Sequence, residues 1–305
     1  MKIIEGTTDF TLSKKTAVAI GKFDGIHLGH QKLLSQLIAQ KKRGLLATVF
    51  TFDVHAGAFF GGEEKELTTK AEKRAAFEAL GIDVLIEFPL NKETAATGPE
   101  AFVEGWLAKR MRASYICAGS DLSFGKGGAG DFALLSRYAD RFGYRAELIE
   151  KVRVDGEEVS STRVREAVRL GRMEEARRML GKPYSAGGIV EHGKKLGRTL
   201  GMPTANLLPE ENKLLPPNGV YYVNVRIDGM DRVCGGISNV GCKPTVSDEN
   251  RLGIETYLYD FTGDLYGRAI TVEFLGFRRP ERKFDSVEAL KTQIAADIAA
   301  GREFS

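Results

Sequence analysis

The feature that most constrains the fold is a change of pattern near residue 182. Before it, strand-like apolar runs alternate with helical patterns; after it, apolar runs bounded by Gly, Asn and Pro follow one another without helices. Parallel strands need long crossover connections, usually helices, whereas antiparallel strands need only short turns. The sequence therefore predicts an α/β domain with a doubly wound parallel sheet over 1–182. It is followed over 183–305 by a small antiparallel β-barrel with a C-terminal helix.

The composition argues against several classes of protein. The 305 residues carry a net charge of +3, too small to indicate nucleic-acid binding. The three cysteines form no CxxC pair, which argues against a disulfide framework or a zinc site and fits a reducing cytoplasm. No apolar run approaches membrane-spanning length. We therefore expect a cytoplasmic protein that binds neither nucleic acid nor membrane; its self-association is left open.

The segment GKFDGIHLGH, residues 21–30, joins a predicted strand to a predicted helix and contains two of the four histidines. Gly25 and Gly29 keep side chains away from the turn, so a triphosphate can approach backbone N–H groups at the positive end of the helix. His27 and His30 can donate hydrogen bonds where charge develops as pyrophosphate leaves. The plainer interpretation is one capping and one solvated histidine.

A second element, SSTRVR at residues 160–165, places three hydroxyls and two arginines at a predicted helix start. The hydroxyls are typical helix caps, and the arginines carry charge suited to phosphate. Taken alone this motif is weak, because serine-rich caps are common.

The segment GGIVEHGKKLGRTLGMPTAN, residues 187–206, is more specific. Its glycines flank basic residues, which suits a loop folded over nucleotide phosphates. It is not a Walker loop, since GxxxxGK[ST] occurs nowhere in the chain. Thr204 and Asn206 offer hard oxygen ligands suited to Mg²⁺, although such a tetrapeptide alone is usually a turn.

Together these motifs resemble the bacterial bifunctional riboflavin kinase/FAD synthetase (FMN adenylyltransferase) family, whose N-terminal half belongs to the HxGH-type nucleotidyltransferases. The likeness runs over essentially the whole chain. It implies an enzyme that phosphorylates riboflavin to FMN with ATP and Mg²⁺, then adenylylates FMN to FAD and releases pyrophosphate. It also implies catalytic roles for His27 and His30, and for Glu255 in GIETYLYD as general base. Such a base suits a primary hydroxyl that loses a proton while attacking a γ-phosphate, but the strand pattern equally allows a surface position.

The resemblance also implies the binding residues. Thr204 and Asn206 would hold Mg²⁺ with ATP, and Asp53, His55, Asp121 and Phe124 would lie on the flavin side. The implied nucleotide-binding residues are Gly21, Phe23, Asp24, Gly25, Gly29, Ser160, Ser161, Thr162, Arg165, Gly188, His192, Gly193, Gly197 and Arg198.

Two segments depart from the family pattern. Val54 and Ala56 stand where prolines are expected, and Leu122 and Gly128 replace an aromatic residue and an arginine. These departures motivate an alternative, a riboflavin kinase whose N-terminal adenylyltransferase domain is weak or inactive. A third hypothesis is a flavin-binding regulator without turnover. The base and metal ligands argue against it, because binding alone needs no base.

The final predicted helix, DSVEALKTQIAADIAAG, has Asp285 and Glu288 in capping-box spacing. Its apolar residues recur on one face, which predicts packing on the barrel.

Overall fold

The computed structural model describes residues 1–53, 65–192, 202–244 and 250–304. The chain divides into two compact units, Met1–Ser160 and Ser161–Ser305. Among the helices of these described ranges, none is both long enough and apolar enough to cross a membrane.

The first unit is built on a six-stranded parallel sheet in the order β1-β4-β3-β2-β5-β6. After β2, the strands β3 and β4 are added on one side of it, and β5 then pairs with the opposite side of β2. Ligands of such open sheets bind where the order reverses, at the carboxyl ends of the strands. The strands are β1 (Lys2–Glu5), β2 (Thr16–Ile20), β3 (Leu46–Phe52), β4 (Val84–Phe88), β5 (Ala113–Gly119) and β6 (Arg145–Ile149).

Helices cover both faces of this sheet. Alternate residues of β2 enter two separate apolar clusters, as expected of a strand buried on both faces. Leu33, Leu34 and Leu37 are buried on α1, so the predicted helical face is confirmed. The helices are α1 (Leu28–Ala39), α2 (Lys70–Ala79), α3 (Lys92–Ala95), α4 (Pro99–Phe102), which continues as a π-helix (Val103–Arg110), and α5 (Phe132–Phe142). Two short strands, β7 (Arg153–Val154) and β8 (Glu157–Glu158), form a hairpin.

The second unit is a closed antiparallel barrel in the order β10-β13-β12-β11-β14-β9. Two helices, α6 (Ser161–Arg169) and α7 (Met173–Leu180), precede it in the same compact unit, so the domain boundary after residue 182 stays a prediction. The strands are β9 (Tyr184–Glu191), β10 (Ala205–Leu207), β11 (Gly219–Ile227), β12 (Val233–Pro244), β13 (Asn250–Leu258) and β14 (Ala269–Arg279).

A C-terminal helix, α8 (Val287–Phe304), packs on the outside of the barrel. Its Ile294 and Ile298 contact a cluster that includes Val220, Tyr222 and Ile237, which confirms the predicted packing.

The predicted capping box at Asp285 and Glu288 is wrong. The helix begins at Val287, and the backbone N–H of Ala289 donates to the hydroxyl of Ser286 at 3.1 Å. A helix starting there places Ser286, one position later than predicted, where a cap is needed.

Candidate active sites

The turn between β2 and α1 brings the two predicted catalytic histidines together. His27 is the N-cap of α1, and its Nδ1 accepts a hydrogen bond from the backbone N–H of His30 at 3.4 Å. The two imidazole rings stack with their centroids 3.8 Å apart. Because Nδ1 of His27 accepts, the neutral ring carries its proton on Nε2, which is therefore a hydrogen-bond donor.

Burial keeps both imidazoles neutral. Desolvation lowers the pKa of His27 to about 4, although the carboxylates of Asp121 and Asp24 act in the opposite direction. Burial, His27 and Lys73 hold the pKa of His30 well below its usual value. A buried imidazole resists protonation because its charged form loses hydration. At neutral pH the pair thus offers hydrogen-bond donors without positive charge.

A buried carboxylate fixes the start of this turn. Asp24 is 1% exposed, and its Oδ1 accepts hydrogen bonds from the backbone N–H and the hydroxyl of Thr68 at 3.0 and 3.3 Å. The Thr68 hydroxyl accepts from the N–H of Gly25 at 3.1 Å. Asp24 and Gly25 thus have structural roles here. Their contact with a nucleotide stays a prediction.

Two glycines of the motif leave space for the neighbouring aromatic rings. A Cβ on Gly29 would lie 3.1 Å from the ring of His27, and a Cβ on Gly21 would lie 3.1 Å from the ring of Phe23. Phe23 and Ile26 adopt positive φ angles of 51° and 42°, which are uncommon for residues other than glycine. The backbone is therefore held in a strained conformation around the histidine pair.

A cavity of about 450 Å³ lies at the carboxyl ends of β2, β3 and β4. Its lining includes the predicted residues Gly21 and Phe124, and the departures Leu122 and Gly128. Five phenylalanines dominate its walls: Phe50, Phe52, Phe88, Phe102 and Phe124. A flat aromatic ligand suits such walls, since offset stacking and apolar burial both favour it.

Two other predicted flavin residues do not line this cavity. The Asp53 carboxylate accepts a hydrogen bond from the backbone N–H of Leu90 at 3.0 Å and so fixes the chain after β4. Asp121 is exposed, and its negative charge acts on His27. His55 lies outside the described residues, as do the departures at positions 54 and 56.

The predicted second phosphate element begins the second unit. Ser160 ends the first unit, while Ser161 and Thr162 begin α6. Arg165 is 7% exposed on that helix. The role of all four residues in phosphate binding stays a prediction.

Strand register builds a polar row on the outside of the barrel. Glu255 on β13 lies directly opposite Asn206 on β10 and Asn239 on β12. Directly opposed residues of antiparallel strands project from the same face. The hydroxyl of Thr204 donates to Oε1 of Glu255 at 2.7 Å. The structure thus brings three predicted residues together and adds Asn239, which the sequence analysis missed.

A cavity of about 660 Å³ lies between this face and α8. Thr204, Asn239 and Glu255 form one part of its wall, and apolar residues such as Ile237 and Leu290 form another. The amide of Asn239 donates to Glu281 at 2.8 Å, so the connection before α8 is tied to the barrel wall. An apolar cavity with a few convergent oxygen atoms is the usual form of a small-molecule site.

The remaining predicted residues lie at the start of the nucleotide loop. Gly188 on β9 has a packing role, because a Cβ there would lie 2.8 Å from Leu207. The exposed ring of His192 lies against Tyr266, with centroids 3.8 Å apart. Gly193, Gly197 and Arg198 lie outside the described residues.

Two family models match the chain. The first, described as FAD synthetase, matches residues 9–163, and the second, described as riboflavin kinase, matches residues 180–305. The histidine turn and the aromatic cavity lie in the first match. The polar row and the larger cavity lie in the second.

Similar proteins match over nearly their whole length. A bifunctional riboflavin kinase/FMN adenylyltransferase from Listeria monocytogenes is 36% identical over 304 residues, which cover 98% of this chain and 95% of the relative. Proteins of the same name from Pseudomonas fluorescens and Escherichia coli K12 are 36% and 34% identical, covering 99% and 100% of this chain and 97% and 98% of the relatives. The chain belongs to the bifunctional riboflavin kinase/FMN adenylyltransferase family.

A solved structure confirms the predicted fold class. A crystal structure described as a macrolide-efflux protein from Streptococcus pneumoniae has a TM-score of 0.88 and 30% sequence identity, covering 99% of each chain. The parallel sheet with its helices and the antiparallel barrel with its C-terminal helix are both as predicted.

Proposed function

We propose that each unit of the chain performs one of two successive reactions on a flavin, with the flavin bound in that unit's cavity. The chain is a riboflavin kinase and an FMN adenylyltransferase, since it contains both family domains and aligns over nearly its whole length with bifunctional relatives. Its substrates are riboflavin, FMN and ATP. Because both domains are matched, the kinase-only alternative is not favoured.

The polar row on the barrel supports the kinase assignment. When the primary hydroxyl of riboflavin attacks the γ-phosphorus of ATP, a new O–P bond forms, the bond to ADP breaks, and the hydroxyl proton must leave. Glu255 lies on the cavity wall and can accept that proton as general base. The hydrogen bond from Thr204 orients the carboxylate. This contact is the single observation that carries the proposal.

The same wall fits a magnesium ion. Thr204 and Asn206 supply a hydroxyl and an amide oxygen, hard donors of the kind that Mg²⁺ prefers, and they lie beside Glu255. Among the described residues there is no group of three His, Cys, Asp or Glu side chains that could hold a metal. The ion would therefore share its coordination with phosphate oxygens and water, as Mg²⁺ commonly does. When bound, it neutralises the negative charge that surrounds the transferred phosphoryl group.

The histidine turn supports the adenylyltransferase assignment. A phosphate oxygen of FMN attacks the α-phosphorus of ATP, a new O–P bond forms, and the bond to the β-phosphate oxygen breaks to release pyrophosphate. No proton acceptor is needed, because the attacking oxygen is already ionised. His27 donates from Nε2 toward phosphate oxygens, and α1 directs the positive end of its dipole to the same place.

Chromatography of the flavin products tests both assignments. The protein incubated with riboflavin, ATP and Mg²⁺ should form FMN and then FAD, and with FMN it should form FAD. Glu255→Gln should lower FMN formation about 10²- to 10⁴-fold, since it removes a general base, and leave FAD formation from FMN unchanged. The double variant His27→Gln/His30→Gln should show the opposite pattern. Loss of both activities in either folded variant would contradict two separate sites.

We also propose a cytoplasmic location, with small molecules as substrates and no nucleic-acid or membrane partner. Cys117, Cys234 and Cys242 are free thiols, which supports a reducing compartment. The small net charge of +3 gives no basis for nucleic-acid binding.

A further inference from the structure

The cavity of the first unit does not by itself explain how FMN is distinguished from riboflavin. Its walls are mainly aromatic and suit the flavin ring, which the two molecules share. They differ in the phosphate, which carries a charge of about −1.5 to −2 at neutral pH. Selection for FMN therefore requires a group that binds this charge. A role for any residue of this cavity in that selection rests on the proposed placement of the flavin here.

Lys22 is the one ionisable side chain among the described residues that line the cavity. It is exposed, so its ammonium group is accessible to a ligand. Within the described part of the chain it forms no ion pair. Gly128 also lines the cavity but contributes no charge.

The position of Lys22 matches the place where the phosphate must lie. The residue follows the end of β2 and precedes the turn that carries His27 and His30. A flavin ring between the phenylalanines with its side chain directed toward this turn brings its phosphate past Lys22 to the histidine pair. The lysine and the histidines then bind different groups: the attacking phosphate and the triphosphate of ATP.

We propose that Lys22 binds the phosphate of FMN and makes the adenylyltransferase site prefer FMN to unphosphorylated flavin. Lysine is suited to this role as a compact positive charge with three donors. The contact is made before the reaction and kept during it, so it strengthens substrate binding more than it accelerates the chemical step.

Steady-state kinetics of FAD formation from FMN provide the test. Lys22→Met should raise the KM for FMN about tenfold, the lower end of the effect of a hydrogen bond to a charged group, with a smaller change in kcat. Lys22→Arg should restore most of the affinity. Lys126→Met is the matched control, because Lys126 is an exposed lysine of the neighbouring glycine loop that does not line the cavity. The KM for riboflavin in the kinase reaction should not change in any of these variants.

A second measurement separates charge recognition from the shape of the cavity. Lumiflavin has the flavin ring without a phosphate or a ribityl hydroxyl, so it can compete with FMN but cannot be phosphorylated. Its inhibition constant against FMN should be the same for the unsubstituted protein and Lys22→Met. An equal loss of lumiflavin and FMN affinity would overturn the proposal, as would an unchanged KM for FMN. If lumiflavin fails to compete even in the unsubstituted protein, the ring alone does not bind in this cavity, and the placement argued from its aromatic walls fails together with the inference.

Discussion

Asp297 is the carboxylate on which the position of α8 most depends. It is 1% exposed, and its oxygens accept hydrogen bonds from Arg279 at 2.8 Å, Gln293 at 2.9 Å and Arg278 at 3.4 Å. The two arginines end β14, so this cluster ties the helix to the barrel. Asp297 and Leu290 also line the larger cavity. A change at Asp297 should therefore affect both the helix and flavin binding.

The loss of stability expected for Asp297→Asn follows from the burial of the carboxylate. Removing one partner of a fully buried ion pair costs about 3–5 kcal/mol. The side chains of Arg278 and Arg279 are 37% and 18% exposed, so water can partly replace the lost carboxylate. We expect a loss of about 2 kcal/mol in the free energy of opening α8, which corresponds to roughly 30-fold less protection from hydrogen exchange. The KM for riboflavin should rise as well.

Hydrogen exchange of peptides from Val287–Phe304, followed by mass spectrometry, measures this change directly. Asp260→Asn is the matched control, because Asp260 pairs with Arg302 of the same helix and both side chains are exposed, at 64% and 48%. Exposed pairs contribute little, so protection should fall less than about threefold. Equal loss of protection in the two variants would refute the reasoning from burial.

Three further predictions concern the packing of α8, the proposed kinase base and the histidine turn. Gly301→Ala should reduce the protection of α8, since a Cβ would clash with the Tyr259 hydroxyl; Gly105→Ala, with open space at its Cβ, is the control. Thr204→Val should slow riboflavin phosphorylation at least about tenfold in a product assay while FAD formation from FMN is unchanged, because Glu255 loses its 2.7 Å hydrogen bond and the proposed metal site loses an oxygen donor. The pKa of His27 is lowered to about 4, so its neutral form stabilises the fold above pH 6.5, and this stability is lost as pH falls toward 4. The loss should reach about 3 kcal/mol in urea titrations, and an equal loss in His27→Gln would contradict this assignment.

Periodic features were well predicted from the sequence. The alternation of strands and helices before residue 160 gave the parallel sheet, because each apolar run is long enough for only one strand. The buried face of α1, with Leu33, Leu34 and Leu37, follows from helical spacing alone. The histidine turn was found because histidine is rare in this chain and lies at a strand-to-helix junction.

Features that depend on strand pairing were not predicted. Asn239 is not among the predicted site residues, and it joins the polar row only because the register places it opposite Glu255. The sequence also gives no sign of the place of Lys22: only the fold shows that it is the one ionisable residue among the described residues lining the cavity. The misplaced cap of α8 has a simpler cause, since Asp285 and Ser286 are both good caps and the pattern cannot choose between adjacent positions.

The polar row makes the proposed kinase site sensitive to the register of the barrel strands. Because side chains alternate along a strand, a shift of β13 by one residue would replace Glu255 with Ile254 or Thr256, both now buried on the other face. Such a shift preserves the number of strands and the closure of the barrel but removes the proposed base from the cavity. Insertions or deletions of single residues within β12 or β13 should therefore abolish riboflavin kinase activity even where a barrel still forms. Changes in connections that carry none of the proposed site residues leave the pairing, and so the polar row, intact.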